Sequence, residues 1–151
     1  MNDLMLQTLA GGLPGLGLTL PEPVQEKLCA FARAMVKQNE VMNLTGITED
    51  APVAKLHLLD SLTVASCVDL KNKTLIDVGC GAGFPSLPLA IARPDLAITA
   101  IDSTDKRIVY VRECARRLGL QNLIAKTARA EDAAATDMRG KYDYATARAV
   151  A

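Results

Sequence analysis

The sequence predicts an α/β domain built on a parallel sheet, preceded by a small helical cap. Three observations carry this. From residue 74 to residue 147, short apolar runs alternate with segments of helical periodicity, the pattern of strands joined by helical crossovers. One run, Thr74-Leu-Ile-Asp-Val78, leads straight into the glycine-rich turn Gly79-Cys-Gly-Ala-Gly83, which suits a buried parallel strand entering a helix. Before residue 70, Val24, Leu28, Phe31 and Met35 step by four, three and four, which is one face of a helix.

The elements follow in order. The first twenty residues are apolar and Gly-rich, and they read as loosely structured. Asn2 and Asp3 stand where a secretory signal would carry Lys or Arg. Gly11, Gly12, Pro14, Gly15 and Gly17 would interrupt a membrane helix, and a span needs roughly 18 apolar residues in a row. A cytoplasmic protein with no membrane partner is expected. Pro21 and Pro23 open the first long helix, with Glu22 and Glu26 in its early turns where the helix dipole favours acids. A second helix is predicted from Pro52 to Cys67, with Leu56, Leu59 and Thr63 on its apolar face, and Asn43-Leu-Thr-Gly46 as the connecting turn. The character changes after Lys71-Asn72-Lys73, so residues 1–70 are expected to form the cap and 71–151 the core.

Within the core, Thr74 to Val78 is the first strand, and a helix is predicted from Phe84 to Ala92, with Pro85 tolerable in its first turn. Leu96 to Ile101 is the second strand. Ile108, Val111, Ala115 and Leu118 mark a helix from Thr104 to Leu118 that Gly119 stops. Asn122 to Lys126 is the third strand and Tyr142 to Ala147 the fourth.

Composition narrows the function. The chain has 151 residues, half of them apolar, enough for one modest globular domain with an appendage. Its 17 basic and 17 acidic residues cancel, so the general positive charge of a nucleic-acid binder is missing and any RNA contact must come from a local patch. Lys106, Arg107, Arg112, Arg116 and Arg117 concentrate charge on one helix. Such a run reads first as a solvated face, and RNA contact is the alternative. Four cysteines, Cys29, Cys67, Cys80 and Cys114, form no Cys-x-x-Cys pair and have a single histidine beside them. They read as reduced thiols rather than metal ligands.

The chemistry-bearing feature is the glycine turn. Glycines let the chain turn tightly and let a ligand reach backbone N–H groups. Asp102 follows at the end of the second strand, where a carboxylate can accept both hydroxyls of an adenosine ribose. A dinucleotide turn normally reads Gly-x-Gly-x-x-Gly. Here Gly79, Gly81 and Gly83 alternate, with Asp77 two residues ahead, able to organise the turn and to help neutralise the amino group of a methionine-like ligand. That spacing favours S-adenosylmethionine over NAD. The bland reading is that the glycines only close a tight strand-to-helix turn.

Several segments together resemble one family. Asp77-Val-Gly-Cys-Gly-Ala-Gly-Phe-Pro85, Asp102-Ser-Thr-Asp-Lys-Arg107, Arg129-Ala-Glu131 and Ala147-Arg-Ala-Val-Ala151 are similar to its motifs. So are Met42-Asn-Leu-Thr45 and His57-Leu-Leu-Asp-Ser61 in the cap. The family is the bacterial small-subunit ribosomal RNA guanine-N7 methyltransferase, RsmG, also called glucose-inhibited division protein B, and the resemblance covers about residues 24 to 151. It implies a Rossmann-like, S-adenosylmethionine-dependent methyltransferase fold, incomplete here because related chains continue into further strands. It implies 16S ribosomal RNA in the small subunit as partner and a monomeric enzyme. By the same resemblance Gly79 and Phe84 line the donor pocket, Asp102, Ser103 and Thr104 hold the ribose side, Ala130 and Glu131 flank the adenine, and Arg148 lies at the pocket. Each of three residues has a plainer reading: Phe84 as core, Glu131 as an acid at a helix N-terminus, Arg148 as a surface arginine. His57 and Asp60, three apart on a helix, read as a hydrogen-bonded pair rather than a catalytic one. The resemblance identifies no catalytic residue. A methyltransferase of another substrate class and a non-catalytic nucleotide-binding chain are the alternatives.

Overall fold

The computed structural model describes residues 3–135 and 140–147. They fall into two compact units, Met1–Asp69 and Leu70–Ala151. Among the described residues no helix is long and apolar enough to cross a membrane.

The first unit is helical. It opens with α1 (Leu4–Gly12), a helix where the sequence reading expected loose structure. Asp3 caps it, its carboxylate accepting from the Leu6 N–H at 3.1 Å, and Met5, Leu9 and Leu13 are buried. The residues read as breakers have local uses. A Cβ on Gly12 would stand 2.3 Å from Leu59 Cδ1, so glycine lets that side chain seat against α1, and Pro14 starts a 3-10 turn that ends at left-handed Gly17. Helix α2 (Glu22–Met42) buries Leu28, Phe31 and Met35 on the predicted face and ends at Asn43, whose φ of 57° is the left-handed cap.

A third helical stretch runs through α3 (Asp50–Val53), a π turn (Ala54–Leu59) and α4 (Asp60–Cys67). Its predicted face needs correction. Leu56 is 53% exposed, while Val53, Ala54, Leu58 and Leu62 are fully buried. Wider π turns advance the chain further per residue and shift the phase of the apolar stripe, so Leu56, Leu59 and Thr63 do not form the buried face.

The second unit is a four-stranded, wholly parallel sheet in the order β3-β2-β1-β4. Its strands are β1 (Thr74–Val78), β2 (Ala97–Asp102), β3 (Leu123–Thr127) and β4 (Tyr144–Ala147). Leu75, Ile76 and Asp77 of β1 are all buried, as are Ile98 to Asp102 of β2, which is why both strands read as continuous apolar runs rather than alternating ones. Helix α5 (Ser86–Ala92) follows β1, and α6 (Asp105–Leu118) follows β2 with Ile108, Val111 and Ala115 inward and Gly119 left-handed at its end. A short α7 (Ala130–Ala135), with Glu131 and Asp132 in its first turn, follows β3.

Loops are pinned by side chains. The Asn122 amide donates to the carbonyls of Ala90, Arg93 and Leu96 at 2.9 to 3.2 Å, tying the end of α5 to the approaches of β2 and β3. At the amino ends of β1 and β4, Asp143 accepts from both the N–H and the hydroxyl of Thr74, which holds its carboxyl below the usual range. Asp95 accepts from the Asn72 N–H and from Arg93, whose guanidinium brings its pKa down to about 2.

Candidate nucleoside-binding site

Strand order places the site. The chain leaves β1 toward β2 and β3, then returns to lay β4 on the other side of β1. The direction of winding therefore reverses between β1 and β4, and open α/β sheets bind ligands in the crevice at the carboxyl ends of strands at such a point. The glycine turn begins there.

The turn is built from backbone conformations that side chains disfavour. Gly79, Gly81 and Gly83 have φ of 70°, 55° and 94°. Gly79 and Cys80 both donate to the Ile101 carbonyl at 2.9 Å, extending the β1–β2 ladder into the turn. Gly83 donates to the Cys80 carbonyl at 2.8 Å and its own carbonyl receives the Leu87 N–H at 2.7 Å, which launches α5. A Cβ on Gly83 would lie 2.3 Å from Leu87 Cδ1, whereas one on Gly81 would meet nothing within 4 Å. Gly83 is thus required by packing, while Gly81 borders open space that a ligand can enter.

Asp102 closes the arrangement. It is 4% exposed at the end of β2. Oδ2 accepts the Gly81 N–H and Oδ1 the Thr104 N–H, each at 2.9 Å, so one carboxylate fixes the turn after β1 to the turn after β2. An ionised carboxylate has about four lone-pair directions, and these two bonds leave capacity for two further donors such as a pair of vicinal hydroxyls. Arg107, in the first turn of α6, places Nη1 3.9 Å from Asp102 Oδ2. The sequence shows both residues in the segment Asp102-Ser-Thr-Asp-Lys-Arg107, without showing that they approach.

The remaining predicted residues divide. Ser103 and Thr104 are exposed beside Asp102, and Ala130 and Glu131 are exposed at the start of α7 after β3. All four follow the carboxyl ends of their strands. Phe84 is 7% exposed between the turn and α5. Asp77 is fully buried within β1 and accepts from the Thr146 hydroxyl of its β4 partner at 3.2 Å, so it braces the β1–β4 junction beneath the turn. Cys80, also enclosed there, has its thiol pushed up to about 12 by burial, with the charges of Asp77 and Asp102 adding to the effect. Arg148 lies outside the described residues. In the first unit, His57 Nε2 lies 2.8 Å from the Thr45 hydroxyl, which joins the two motifs of that unit, and the Thr45 N–H donates to Asn39 Oδ1 at 2.7 Å.

The parallel sheet, its switch point and the glycine turn define the class: a Rossmann-like fold of the kind methyltransferases use. A solved structure of coclaurine N-methyltransferase bound to N-methylheliamine and SAH has this fold, with a TM-score of 0.55, 21% sequence identity, and coverage of 95% of this chain and 47% of that one. The family described as GidB, rRNA small subunit methyltransferase G, matches residues 24–151, and the chain belongs to it. Curated relatives carry the name ribosomal RNA small subunit methyltransferase G, two of them as follows. That of Clostridium botulinum (strain Eklund 17B / Type B) is 41% identical over 138 residues, covering 90% of this chain and 58% of the relative. That of Pelotomaculum thermopropionicum is 39% identical over 151 residues, covering 99% and 63%. The chain therefore spans about three-fifths of the length of these relatives.

Proposed function

We propose that this chain forms the donor-binding part of an S-adenosylmethionine-dependent methyltransferase that methylates N7 of a guanine in 16S ribosomal RNA of the small subunit. The observation that carries the reading is the Asp102 carboxylate at the end of β2, held by Gly81 and Thr104 beside the turn that leaves β1 at the switch point of the sheet. The relatives' name supports the ribosomal substrate. In this reading residues 71–151 are the donor-binding core and residues 1–70 a helical cap, and the enzyme acts as a monomer in the cytoplasm.

The donor fits what is present. Positive φ through the turn brings backbone close to the crevice, the space beside Gly81 is open, and Asp102 keeps acceptor capacity for ribose hydroxyls. Gly79, Gly81 and Gly83 would cradle the methionine end with Phe84 beside it, and Asp77 would brace that cradle from below through Thr146. Ser103 and Thr104 would border the ribose, and Ala130 and Glu131 the adenine. By its place in the family motif Arg148, which lies outside the described residues, would belong to the same pocket.

When bound, S-adenosylmethionine supplies an electrophilic methyl group on a sulfonium. Guanine N7 carries an in-plane lone pair and no proton, so it can attack without a general base. What this chain's residues must do is orient the donor, align it with N7 and keep water out, which is catalysis by positioning. Moving positive charge from sulfur to the purine asks only for an environment arranged to tolerate it.

The test is transfer of labelled methyl from S-adenosylmethionine to assembled small ribosomal subunits, followed by mapping of the modified nucleoside. Label at a guanine N7 of 16S rRNA is expected. Label on protein or a small molecule, with rRNA untouched, would contradict the substrate assignment while leaving the donor site standing.

A further inference from the structure

The edge of the sheet away from the donor crevice carries a groove that the reading above does not use. It lies between the second half of α6 and the outer strand β3, encloses about 410 Å³, and is lined by Arg112, Arg116, Lys126, Leu120, Leu123 and Ile124 among others. Three liners are cationic and none is acidic. The nearest acid on α6, Glu113, forms a fork with Arg116 and also binds Arg117 at 3.0 Å, so the cluster of Arg112, Arg116, Arg117, Lys126 and Glu113 keeps an excess of positive charge. The chain as a whole is neutral; this groove is not.

One of its cations is arranged differently from a merely solvated face. The Arg112 Nε donates to the Ala125 carbonyl of β3 at 2.9 Å. That bond uses one of the five guanidinium donors and holds the side chain in place, so little conformational entropy remains to be lost when the others meet a ligand. Ile124 is 58% exposed at the groove, giving an apolar surface beside the charges. Planar cationic forks with an adjoining apolar wall suit a phosphodiester with its sugar and base alongside.

We infer that the α6–β3 groove docks the phosphate backbone of the RNA substrate, at a distance from the methylated base. The inference rests on the reading that the substrate is RNA. Contacts of this kind set register rather than read sequence, and they suit an enzyme whose target lies within a large folded RNA.

The experiment measures binding of in vitro transcribed 16S rRNA to the chain across a salt series. It compares the wild type with the double variant Arg116→Gln/Lys126→Gln, both changes falling on exposed side chains. Each lost phosphate contact lowers the slope of log affinity against log salt by roughly 0.7 to 0.9, so the variant should lose about 1.5 from the slope and bind at least tenfold more weakly at low salt. Binding of S-adenosylmethionine by calorimetry should be unchanged, which also reports that the variant is folded. Equal slopes and affinities for the two proteins would overturn the groove assignment and leave the methyltransferase reading intact. A wild type that binds S-adenosylmethionine but no RNA at low salt would overturn both the groove and the RNA substrate, leaving the donor site. Unchanged binding to naked rRNA with weakened binding to assembled small subunits would assign the groove to a ribosomal protein instead.

Discussion

Replacing Gly83 by Ala tests whether the turn is built as described. Two costs add. The residue sits at φ of 94°, outside the left-handed well that other residues occasionally use, and holding a side chain there costs about 1–3 kcal/mol. Its Cβ would approach Leu87 Cδ1 to 2.3 Å, and Leu87 is fully buried, so a shift of its side chain presses on packed neighbours and overpacking adds about 1–3 kcal/mol. The sum is about 2–6 kcal/mol. Gly81→Ala is the matched control, because its φ of 55° lies in the left-handed well and its Cβ meets nothing; the cost there is about 1–2 kcal/mol. Urea unfolding followed by far-ultraviolet circular dichroism separates them. With a slope of about 1–3 kcal/mol per molar, the Gly83 variant should unfold at a midpoint on the order of 1 M below the Gly81 variant. Equal midpoints would refute the packing argument.

Three other outcomes follow from the same structure. Asn122→Ala leaves the carbonyls of Ala90, Arg93 and Leu96 without their shared donor, and should cost about 1–3 kcal/mol in the same unfolding assay. Asp95, held at about 2 by Arg93, has a lowered folded pKa, so its contribution is complete above the ordinary carboxylate range and disappears as pH falls from about 4 through about 2. Both side chains are about 30% exposed, which keeps the effect below about 1 kcal/mol, and Asp95→Asn should flatten the acid loss only within that window. Alkylation at pH 8, read by mass spectrometry, should modify exposed Cys67 promptly and spare Cys29 and Cys80, which are enclosed and whose thiols burial raises to about 11 and about 12.

Much of the core was legible because its signals are local. A buried parallel strand shows as an apolar run, so the sequence predicts β1 with its observed bounds and β2 and β3 within one residue. Gly119 ended α6 where the sequence placed it, because only a residue tolerant of φ of 68° fits there. Misreadings arose where a residue's reason lay elsewhere in the chain. Gly12 looks like a breaker until Leu59 is seen against it, and the π turn at Ala54–Leu59 moved the buried stripe from Leu56 to Leu58. In the site, Asp102 and the alternating glycines were visible as residue types at a spacing. Their joining through the Gly81 N–H and the bracing of Asp77 by Thr146 depend on strand register, which no short stretch of sequence encodes.

Calorimetric titration decides whether Asp102 and the glycine turn together bind S-adenosylmethionine. Saturable binding of S-adenosylmethionine by the 151-residue chain, and none of NAD, is expected. Loss of hydrogen bonds to a charged group costs about 1.5–3 kcal/mol, so Asp102→Ala should weaken the affinity by roughly 10- to 150-fold. A folded Asp102→Ala protein that binds S-adenosylmethionine as tightly as the wild type would contradict it.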